Sequence, residues 1–428
     1  MSTKPHLSIE RSTETHPAIA ELRKLEYEMA LTLPGQESPF AEIPESLKIL
    51  LLSLLNDRPM DVGEISEKDW EIVFSSQQLQ GIPAILYYKT NAMGNGAFPS
   101  ETIVSCLRDQ LLMNRVEIFH AQAQLRKIIR AFVEKGITPL LIKGIALAYT
   151  VYPDSSLRRA GNDIDILVKP EEFLQARNIL LAQGYSCESY RFEILNELQC
   201  EETFWPPNAS NNRLKPVDLH WALNVACGKR RDETTRGIFA RSISVKTQEL
   251  VFQTMYPVDA LVHGAVHLMQ NHLEQMKLLW ICDISFLAGA LLRNQDWKTL
   301  QERSQDWDAL LAVQYALKLA VVWAGLRLPE KYSDFSLWPK PQHTEKQEIE
   351  RALAKQNRPD IMLRLLLQSA PDLSAKLRLL KNLVFPDKEY LLRLDMPGKN
   401  RFWPGAYLSY WQGWIKKSRD TFKGRNAL

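Results

Sequence analysis

Two aspartates separated by one residue are the clearest candidates for chemistry in this sequence. Asp163 and Asp165 alternate with the apolar residues of a short run that ends at Val168. Side chains two apart on a β-strand point to the same face, so the pair would present two carboxylates side by side. Such carboxylates repel each other unless a cation lies between them, and hard oxygen ligands favour Mg²⁺ or Mn²⁺. The spacing therefore predicts a divalent metal site at the start of a strand.

A Lys-Gly pair upstream of the aspartates is a candidate for phosphate binding. An apolar run at 139–142 stops at Lys143 and Gly144, and a helix-compatible stretch follows to about Tyr152. The free backbone N–H groups of the first helical turn, with the ammonium of Lys143 beside them, would face an anion. Either motif alone is common in loops. Their order (strand, glycine turn, helix, loop, strand) predicts that metal and phosphate share one cleft.

A third carboxylate is expected on a later strand. Residues 216–221 read Pro-Val-Asp-Leu-His-Trp, which alternates polar with apolar positions. By the period of two, Asp218 and His220 share one face while the apolar side chains face the core. Asp218 is therefore the candidate for the third carboxylate. His220 is either part of the same site or an imidazole at the edge of the core that bonds to a backbone group.

These segments together resemble the nucleotidyltransferase superfamily of the DNA polymerase β type, and most closely its uncharacterised bacterial branch. In that superfamily a strand ends in Gly-Gly or Gly-Ser, a helix follows, the next strand carries Asp-X-Asp, and a later strand supplies a third carboxylate. Here Lys143-Gly144 replaces Gly-Ser, which makes Lys143 the candidate for the phosphate-binding role of the usual serine. The acidic-Leu-His-Trp signature of the branch is matched at 218–221. The resemblance covers about 45–390 and is strongest over 138–221.

The resemblance implies a metal-dependent enzyme that transfers a nucleoside monophosphate from an NTP, expected to be ATP, to a small-molecule or peptide acceptor. Pyrophosphate would be released. Asp163, Asp165 and Asp218 would be the catalytic residues and the ligands of Mg²⁺ or Mn²⁺, and Asp218 could help to deprotonate the acceptor. The nucleotide-binding residues that the resemblance implies are Lys143, Gly144, Arg159 and His220.

The arginine in that set is assigned from its position in the sequence. Arg159 lies four residues before Asp163, matches the arginine of the branch, and could bind phosphate through two hydrogen bonds. A solvated loop charge is the alternative interpretation, and Arg158 is the weaker candidate.

Two other functions fit parts of the same pattern. A non-catalytic protein that senses nucleotides or binds a partner could keep the fold, because Lys143 replaces the usual serine and the flanking helical mass is large. A metal-dependent glycosyltransferase also uses Asp-X-Asp, to bind a nucleotide sugar. Only one short strand–helix unit precedes the acidic pair here, which is too little for the usual nucleotide-binding half of such an enzyme.

The composition is that of an ordinary globular protein. The sequence has 428 residues, a length that is enough for two or three domains. Of these residues, 45% are hydrophobic and 24% are charged. A net charge of +3 and a pI near 8.4 give no indication of a nucleic-acid surface. Five scattered cysteines without C-x-x-C spacing predict free thiols. We expect no signal peptide and no membrane span, since the apolar stretch 309–328 contains Gln314 and Lys318, and we expect a cytoplasmic location.

The predicted fold class is α+β and mainly helical. A polymerase-β-type nucleotidyltransferase core with a small mixed sheet is expected between helical regions. Within it, strand candidates at 185–194, 198–205 and 214–221 follow a helix that ends at Gly184. The predicted units are a partly ordered N-terminal segment at 1–35, a helical region at 36–113, the core at 114–225, and a C-terminal helical domain at 226–428.

Three further features lie outside the predicted core. His263 and His267 share a helical face at i, i+4, but no glutamate follows His263, so a structural role is favoured over zinc. Asp283 on an apolar helix would be costly to bury unpaired, and we expect it to bond a histidine or an arginine. The tail at 401–417 interleaves aromatic with basic residues. This indicates docking on the helical domain, with a membrane-surface or partner contact as the alternative.

The predicted metal site has a consequence for stability. If the three carboxylates repel one another without metal, Asp165→Asn should keep or raise the melting temperature of the metal-free protein. It should also lose the stabilisation that Mg²⁺ with NTP provides. Asp283→Asn, assigned to structure, should lower the melting temperature in both conditions.

Overall fold

The fold is α+β, with many helices around one mixed sheet. The chain is mainly helical and contains a seven-stranded sheet, in agreement with the predicted class. Most of the predicted tail at 401–417 lies outside the described residues. The computed structural model describes residues 17–32, 40–56, 65–93, 100–187, 200–207, 214–223, 231–271, 276–342, 345, 373–385 and 411–412.

Five helices precede the sheet in the described part of the chain. Ser66 caps the third through a capping box, in which its side chain accepts from the backbone N–H of Asp69 and the Asp69 side chain accepts in return. Gly81, with a φ of 91°, lies in the turn before the fourth. The helices are α1 (Pro17–Thr32), α2 (Glu45–Leu55), α3 (Glu67–Ser75), α4 (Ile82–Met93) and α5 (Glu101–Glu134).

The sheet has the order β3-β4-β5-β2-β1-β7-β6. Two neighbouring pairs, β2 with β5 and β1 with β7, are parallel, and the other neighbours are antiparallel. Each of the three strands that the sequence places after Gly184 is present in its described part, whereas residues 188–199 lie outside the described residues. The strands are β1 (Leu140–Leu141), β2 (Ile164–Leu167), β3 (Ser186–Cys187), β4 (Glu201–Trp205), β5 (Val217–His220), β6 (Ile243–Lys246) and β7 (Val251–Thr254).

The sheet is larger than the sequence predicts. The hairpin β6–β7 lies within 226–428, which is expected to be helical, and β7 pairs in parallel with β1. The hydroxyl of Thr254 also donates to the carbonyl oxygen of Leu141 at 2.7 Å. Strands of four residues carry only a weak period-two signal, and the helical periodicity on both sides conceals it.

The remaining helices lie between and after the strands. None of the helices in the described ranges has an apolar run long enough to span a lipid bilayer. Most of the apolar stretch at 309–328 is instead a core helix (Leu310–Ala324). These helices are α6 (Lys143–Thr150), α7 (Phe173–Ala182), α8 (Arg231–Arg241), α9 (Pro257–Val266), α10 (Leu278–Asn294), α11 (Trp297–Asp306), α12 (Leu310–Ala324), α13 (Glu330–Ser333) and α14 (Leu373–Val384).

Helices from before and after the sheet in the chain share one hydrophobic core. The rings of Phe40 and Trp323 lie 4.8 Å apart, and Asn56 Nδ2 donates to the carbonyl oxygen of Val322 at 3.2 Å. A second core packs α5, α6 and α7 against the sheet. The N-terminal helices and the helices α9 to α12 therefore pack as one body next to the sheet.

Candidate functional site

Register between three strands places the candidate carboxylates in one polar layer. In the parallel pair β2–β5, Asp165 lies opposite Asp218. In the antiparallel pair β4–β5, Thr203 lies opposite Asp218 and Glu201 lies opposite His220. Residues at paired positions project from the same face of a sheet. The two acidic positions that the sequence assigns to separate strands are thus brought side by side.

A continuous chain of polar contacts runs through this layer. Lys143 Nζ lies 2.6 Å from Asp165 Oδ1, and His220 Nε2 lies 3.0 Å from the same oxygen. His220 Nδ1 lies 2.9 Å from Glu201 Oε2. Asp165 and His220 are buried, whereas Glu201 reaches solvent. His220 therefore joins the site rather than bonding only to the backbone, and Glu201 is a member that the sequence does not predict.

The Lys-Gly turn places the lysine on Asp165. Lys143 is the first residue of α6 and has a φ of 54°, a region that residues with a side chain rarely adopt. Such strain persists where surrounding contacts fix it. A Cβ at Gly144 would lie 3.2 Å from Arg158 Nη2, so this position favours glycine because the guanidinium approaches closely. The two residues thus lie at the site, and their binding of phosphate remains a prediction.

The three carboxylates differ in how their charge is compensated. Burial, followed by the charges of Asp165 and Asp218, raises the pKa of Asp163 to about 6. Burial also opposes ionisation of Asp165, but the ammonium of Lys143 and the imidazole of His220 hold the pKa of Asp165 well below its usual range. Burial raises the pKa of Asp218. Asp165 is therefore neutralised by direct contact with its neighbours, while Asp163 and Asp218 form no such direct ion pair within the described residues.

Thr203 fixes one oxygen of Asp218. Its hydroxyl donates to Asp218 Oδ1 at 2.6 Å, which opposes the effect of burial on the pKa of that carboxyl. The other oxygen of Asp218 is on the same side of the sheet as Asp165, because the two residues are paired in register. Asp218 is thus held in one orientation.

The oxygen donors of the polar layer suit a divalent cation that also takes ligands from a bound phosphate. Within the described ranges, no three His, Cys, Asp or Glu side chains are arranged so that they could hold a metal ion by themselves. Mg²⁺ at nucleotide sites is usually held by one or two carboxylates and by substrate phosphates, so a closed protein cage is not required. The repulsion that raises the pKa of Asp163 is what a divalent cation would relieve.

Three cations lie beside the carboxylates, and the sequence predicts only one of them. Arg159 Nε is 3.9 Å from Glu117 Oε2, and Lys215 Nζ is 3.6 Å from the same oxygen. Lys215 also donates to the carbonyl oxygen of Gly161 at 2.5 Å. Lys277, immediately before α10, completes the group. We call Arg159, Lys215 and Lys277 the basic cluster.

The charges of the basic cluster act on one another. Burial, and then the charge of Arg159, lower the pKa of Lys277. Burial and Arg159 also lower the pKa of Lys215, against the opposing charge of Glu117. The negative charge of Asp163 favours the protonated form of both lysines. Cations that repel one another at the edge of an acidic site are suited to an anion such as a phosphate chain.

Arg158 has a structural role. Its Nε donates to Asp283 Oδ1 at 2.8 Å and its Nη2 donates to Asp283 Oδ2 at 2.9 Å. The hydroxyl of Tyr152 donates to Asp283 Oδ1 at 2.7 Å, and all three side chains are buried. The expectation that Asp283 bonds an arginine is confirmed. The group connects the loop before β2 to α10.

His263 lies close to the site but stays neutral. Burial, followed by the positive charges of Lys143 and His220, lowers the pKa of His263 to about 3. Its ring centroid lies 6.3 Å from that of His267. His263 is therefore an uncharged side chain packed near the polar layer.

The contacts of Asp165 reverse the predicted effect of Asp165→Asn on the stability of the metal-free protein. Removing the negative charge would leave the ammonium of Lys143 and the imidazole of His220 without their shared carboxylate. The metal-free protein should therefore be destabilised by this change. Among the three carboxylates, Asp163 is the one whose negative charge is repelled by its neighbours, which is the situation that the sequence-based prediction assumed for Asp165.

Comparison with known proteins gives one match. A family model described as an uncharacterised nucleotidyltransferase matches residues 66–325, a range that contains all seven strands and the polar layer. Neither the curated proteins nor the solved structures gave a match to this chain.

Proposed function

Because the chain belongs to the family of uncharacterised nucleotidyltransferases, we propose that it transfers a nucleoside monophosphate from an NTP to an acceptor and releases pyrophosphate. The observation that carries this proposal is the polar layer itself. Two carboxylates lie in register on parallel strands, a lysine is fixed on one of them, and the basic cluster lies beside the third. We propose ATP as the donor and a small molecule or peptide as the acceptor.

The same proposal extends to the fold of the core. Residues 114–225 supply the strand, Lys-Gly turn, helix and Asp-X-Asp strand of a polymerase-β-type core, and β5 supplies the third carboxylate. The hairpin β6–β7 belongs with this core because it extends the same sheet. The helical units at 36–113 and beyond the hairpin pack against it.

In the proposed reaction, Asp163, Asp165 and Asp218 would hold Mg²⁺ or Mn²⁺, which supplies charge neutralisation at the phosphates. The oxygen or nitrogen of the acceptor forms a bond to the α-phosphorus as the bond to the β-phosphate oxygen breaks. Asp218 would accept the proton of the acceptor, because burial raises its pKa, whereas Lys143 and His220 lower the pKa of Asp165. Thr203 holds Asp218 in place. Pyrophosphate leaves with the electron pair of the broken bond.

The basic cluster would bind the phosphates that leave. Arg159 can donate two parallel hydrogen bonds to phosphate oxygens, and Lys277 supplies a point charge. The pKa of Lys277 is lowered, first by burial and then by Arg159, so binding of an anion would relieve unfavourable charge there. This assigns the basic cluster to the pyrophosphate part of the NTP.

The proposed activity predicts loss of pyrophosphate release in Asp163→Asn. With each of the four NTPs and a panel of small-molecule and peptide acceptors, we expect the rate to fall on the order of a hundredfold. The exposed residue Asp109 on α5 provides the matched control Asp109→Asn, which should retain the wild-type rate. Equal rates of release in the wild type and in Asp163→Asn would contradict the proposal.

The basic cluster predicts a second effect on the same assay. Lys277→Met removes a cation without leaving a buried acid unpaired, because Lys277 Nζ donates to the amide oxygen of Gln80 at 3.3 Å. We expect the KM for NTP to rise about tenfold, the loss of one charged hydrogen bond. Lys298→Met, at an exposed lysine of α11, is the control. An unchanged KM would show that Lys277 does not contact the NTP.

One observation favours a non-catalytic alternative. Lys143 and His220 both contact Asp165 Oδ1, so this carboxylate is already engaged. A protein that senses nucleotides would be stabilised by Mg²⁺ with NTP but would release no pyrophosphate with any acceptor. Thermal unfolding measured alongside the pyrophosphate assay separates this alternative from catalysis. No contact in the described residues favours the glycosyltransferase.

A further inference from the structure

We infer that the ammonium of Lys143 is a permanent cation of the site, so that the site takes one divalent cation where a two-metal site would take two. This inference rests on the proposed nucleotidyl transfer, because it concerns the same carboxylates. It assigns to Lys143 a role other than the phosphate binding that the sequence predicts.

The first step is the occupancy of Asp165 Oδ1. Lys143 Nζ lies 2.6 Å from this oxygen, and His220 Nε2 lies 3.0 Å from it. A carboxylate oxygen offers about two lone-pair sites, and both are used by these contacts. A metal ion could bind the same oxygen only by displacing the lysine or the histidine.

The second step is the distance between charges. A Mg²⁺ bound to Asp165 Oδ1 would lie about 2.1 Å from this oxygen, and Lys143 Nζ lies on the same oxygen at 2.6 Å. Two-metal sites hold their ions about 3.5–4 Å apart. The ammonium therefore lies about where one of the two ions of such a site would lie relative to the shared carboxylate.

The third step is that the lysine is held in place. Lys143 is mostly buried, with 24% of its side chain exposed, and Asp165 is more buried still, with 8% exposed. His220 is fixed between Asp165 and Glu201, so the carboxylate that binds Lys143 cannot rotate freely. The ammonium has a fixed position rather than that of a mobile surface charge.

The fourth step is the charge that remains. The chain Glu201–His220–Asp165–Lys143 pairs two acids with two bases. Asp163 and Asp218 remain outside this chain, and their two negative charges match one divalent cation.

The test counts divalent cations. Mn²⁺ is titrated into the full-length protein with and without a non-hydrolysable ATP analogue, and free Mn²⁺ is measured by electron paramagnetic resonance. We expect one bound Mn²⁺ per wild-type chain in the presence of the analogue. Lys143→Met should bind two, because Asp165 Oδ1 becomes available as a ligand to a second ion, whereas Lys143→Arg should bind one.

A matched control lies just after β2, the strand that carries Asp165. Lys169, just after β2, forms an ion pair with Glu172 at 3.1 Å, and Lys169→Met should leave the count at one. Thermal unfolding of each variant establishes that it is folded. If Lys143→Met does not fold, the counts for the wild type and Lys143→Arg still decide the question.

The outcomes separate the inference from the proposed function. Two Mn²⁺ ions on the wild type, none on the wild type, or one on folded Lys143→Met would overturn the inference. Two ions together with pyrophosphate release would leave the proposed transfer intact. One ion on the wild type and two on Lys143→Met, without pyrophosphate release, would support the inference and reject the transfer.

Discussion

Asp283→Asn is expected to lower the free energy of unfolding by about 3–5 kcal/mol. The change leaves the guanidinium of Arg158, which is 5% exposed, without its ionic partner in the interior. The hydroxyl of Tyr152 loses a charged acceptor at the same time. Because the site carboxylates are not involved, the loss should be equal with and without Mg²⁺ and NTP. Equilibrium unfolding in denaturant measures it.

A double variant tests whether the loss comes from the stranded charge. Arg158→Met combined with Asp283→Leu replaces the ion pair with apolar side chains and should be more stable than Asp283→Asn alone. Asp109→Asn, at an exposed aspartate of α5, is the control for the chemical change. A loss below about 1 kcal/mol for Asp283→Asn would mean that water reaches Arg158 and that the pair is weaker than its geometry indicates.

Asp163→Asn and Asp165→Asn are expected to change the stability of the metal-free protein in opposite directions. For Asp165→Asn we expect a loss of about 2–3 kcal/mol, since an amide cannot neutralise the buried Lys143. For Asp163→Asn we expect a gain of about 1–2 kcal/mol at pH 7.5, after allowance for the partial exposure of this carboxylate. Unfolding in the presence of a chelator measures both.

The pH dependence of the gain follows from the raised pKa of Asp163. Burial and the neighbouring carboxylates place that pKa at about 6, above the ordinary value of 3.8. Between these values the folded state binds more protons than the unfolded state, so stability falls as the pH rises. The gain in Asp163→Asn should therefore be absent below about pH 4 and complete above about pH 6. Destabilisation by both variants at pH 7.5 would refute this view of the two carboxylates.

The same variant is expected to lose activity in the pyrophosphate assay. Asp163→Asn would then be a more stable and less active protein, which is the behaviour of a residue whose charge serves function at a cost in stability. Asp165→Asn would lose both stability and activity. The two variants thus distinguish a carboxylate that serves only to bind a cation from one that also stabilises the fold.

The parts of the site that the sequence predicts are those that follow from a period of two. Asp163, Asp165 and Asp218 lie in short alternating runs, so their common face could be derived before the strands were paired. The family resemblance then indicated that the two runs belong to neighbouring strands. The ion pair of Asp283 was also predictable, because a charge on an apolar helix needs a partner.

The parts that the sequence does not predict depend on register and on distant segments. Glu201 contacts His220 only because β4 pairs with β5 in one particular register. Lys277 lies more than fifty residues after β5, just before a helix, and nothing in its local sequence distinguishes it from a surface lysine. The contact between Lys143 and Asp165 depends on the unusual φ of Lys143, which no propensity indicates.

The parallel pairing of β1 with β7 has a consequence for synthesis of the chain. β1 comprises two residues and lies between β2 and β7, so half of its hydrogen-bonding edge stays open until residue 254 has left the ribosome. At about 5–20 residues per second, the roughly one hundred residues between these strands take several seconds to make. During that time β1, which leads into the Lys-Gly turn, has one unpaired edge, and another strand could pair with it wrongly. A chain cut at residue 225, after all three carboxylates, should therefore aggregate rather than fold.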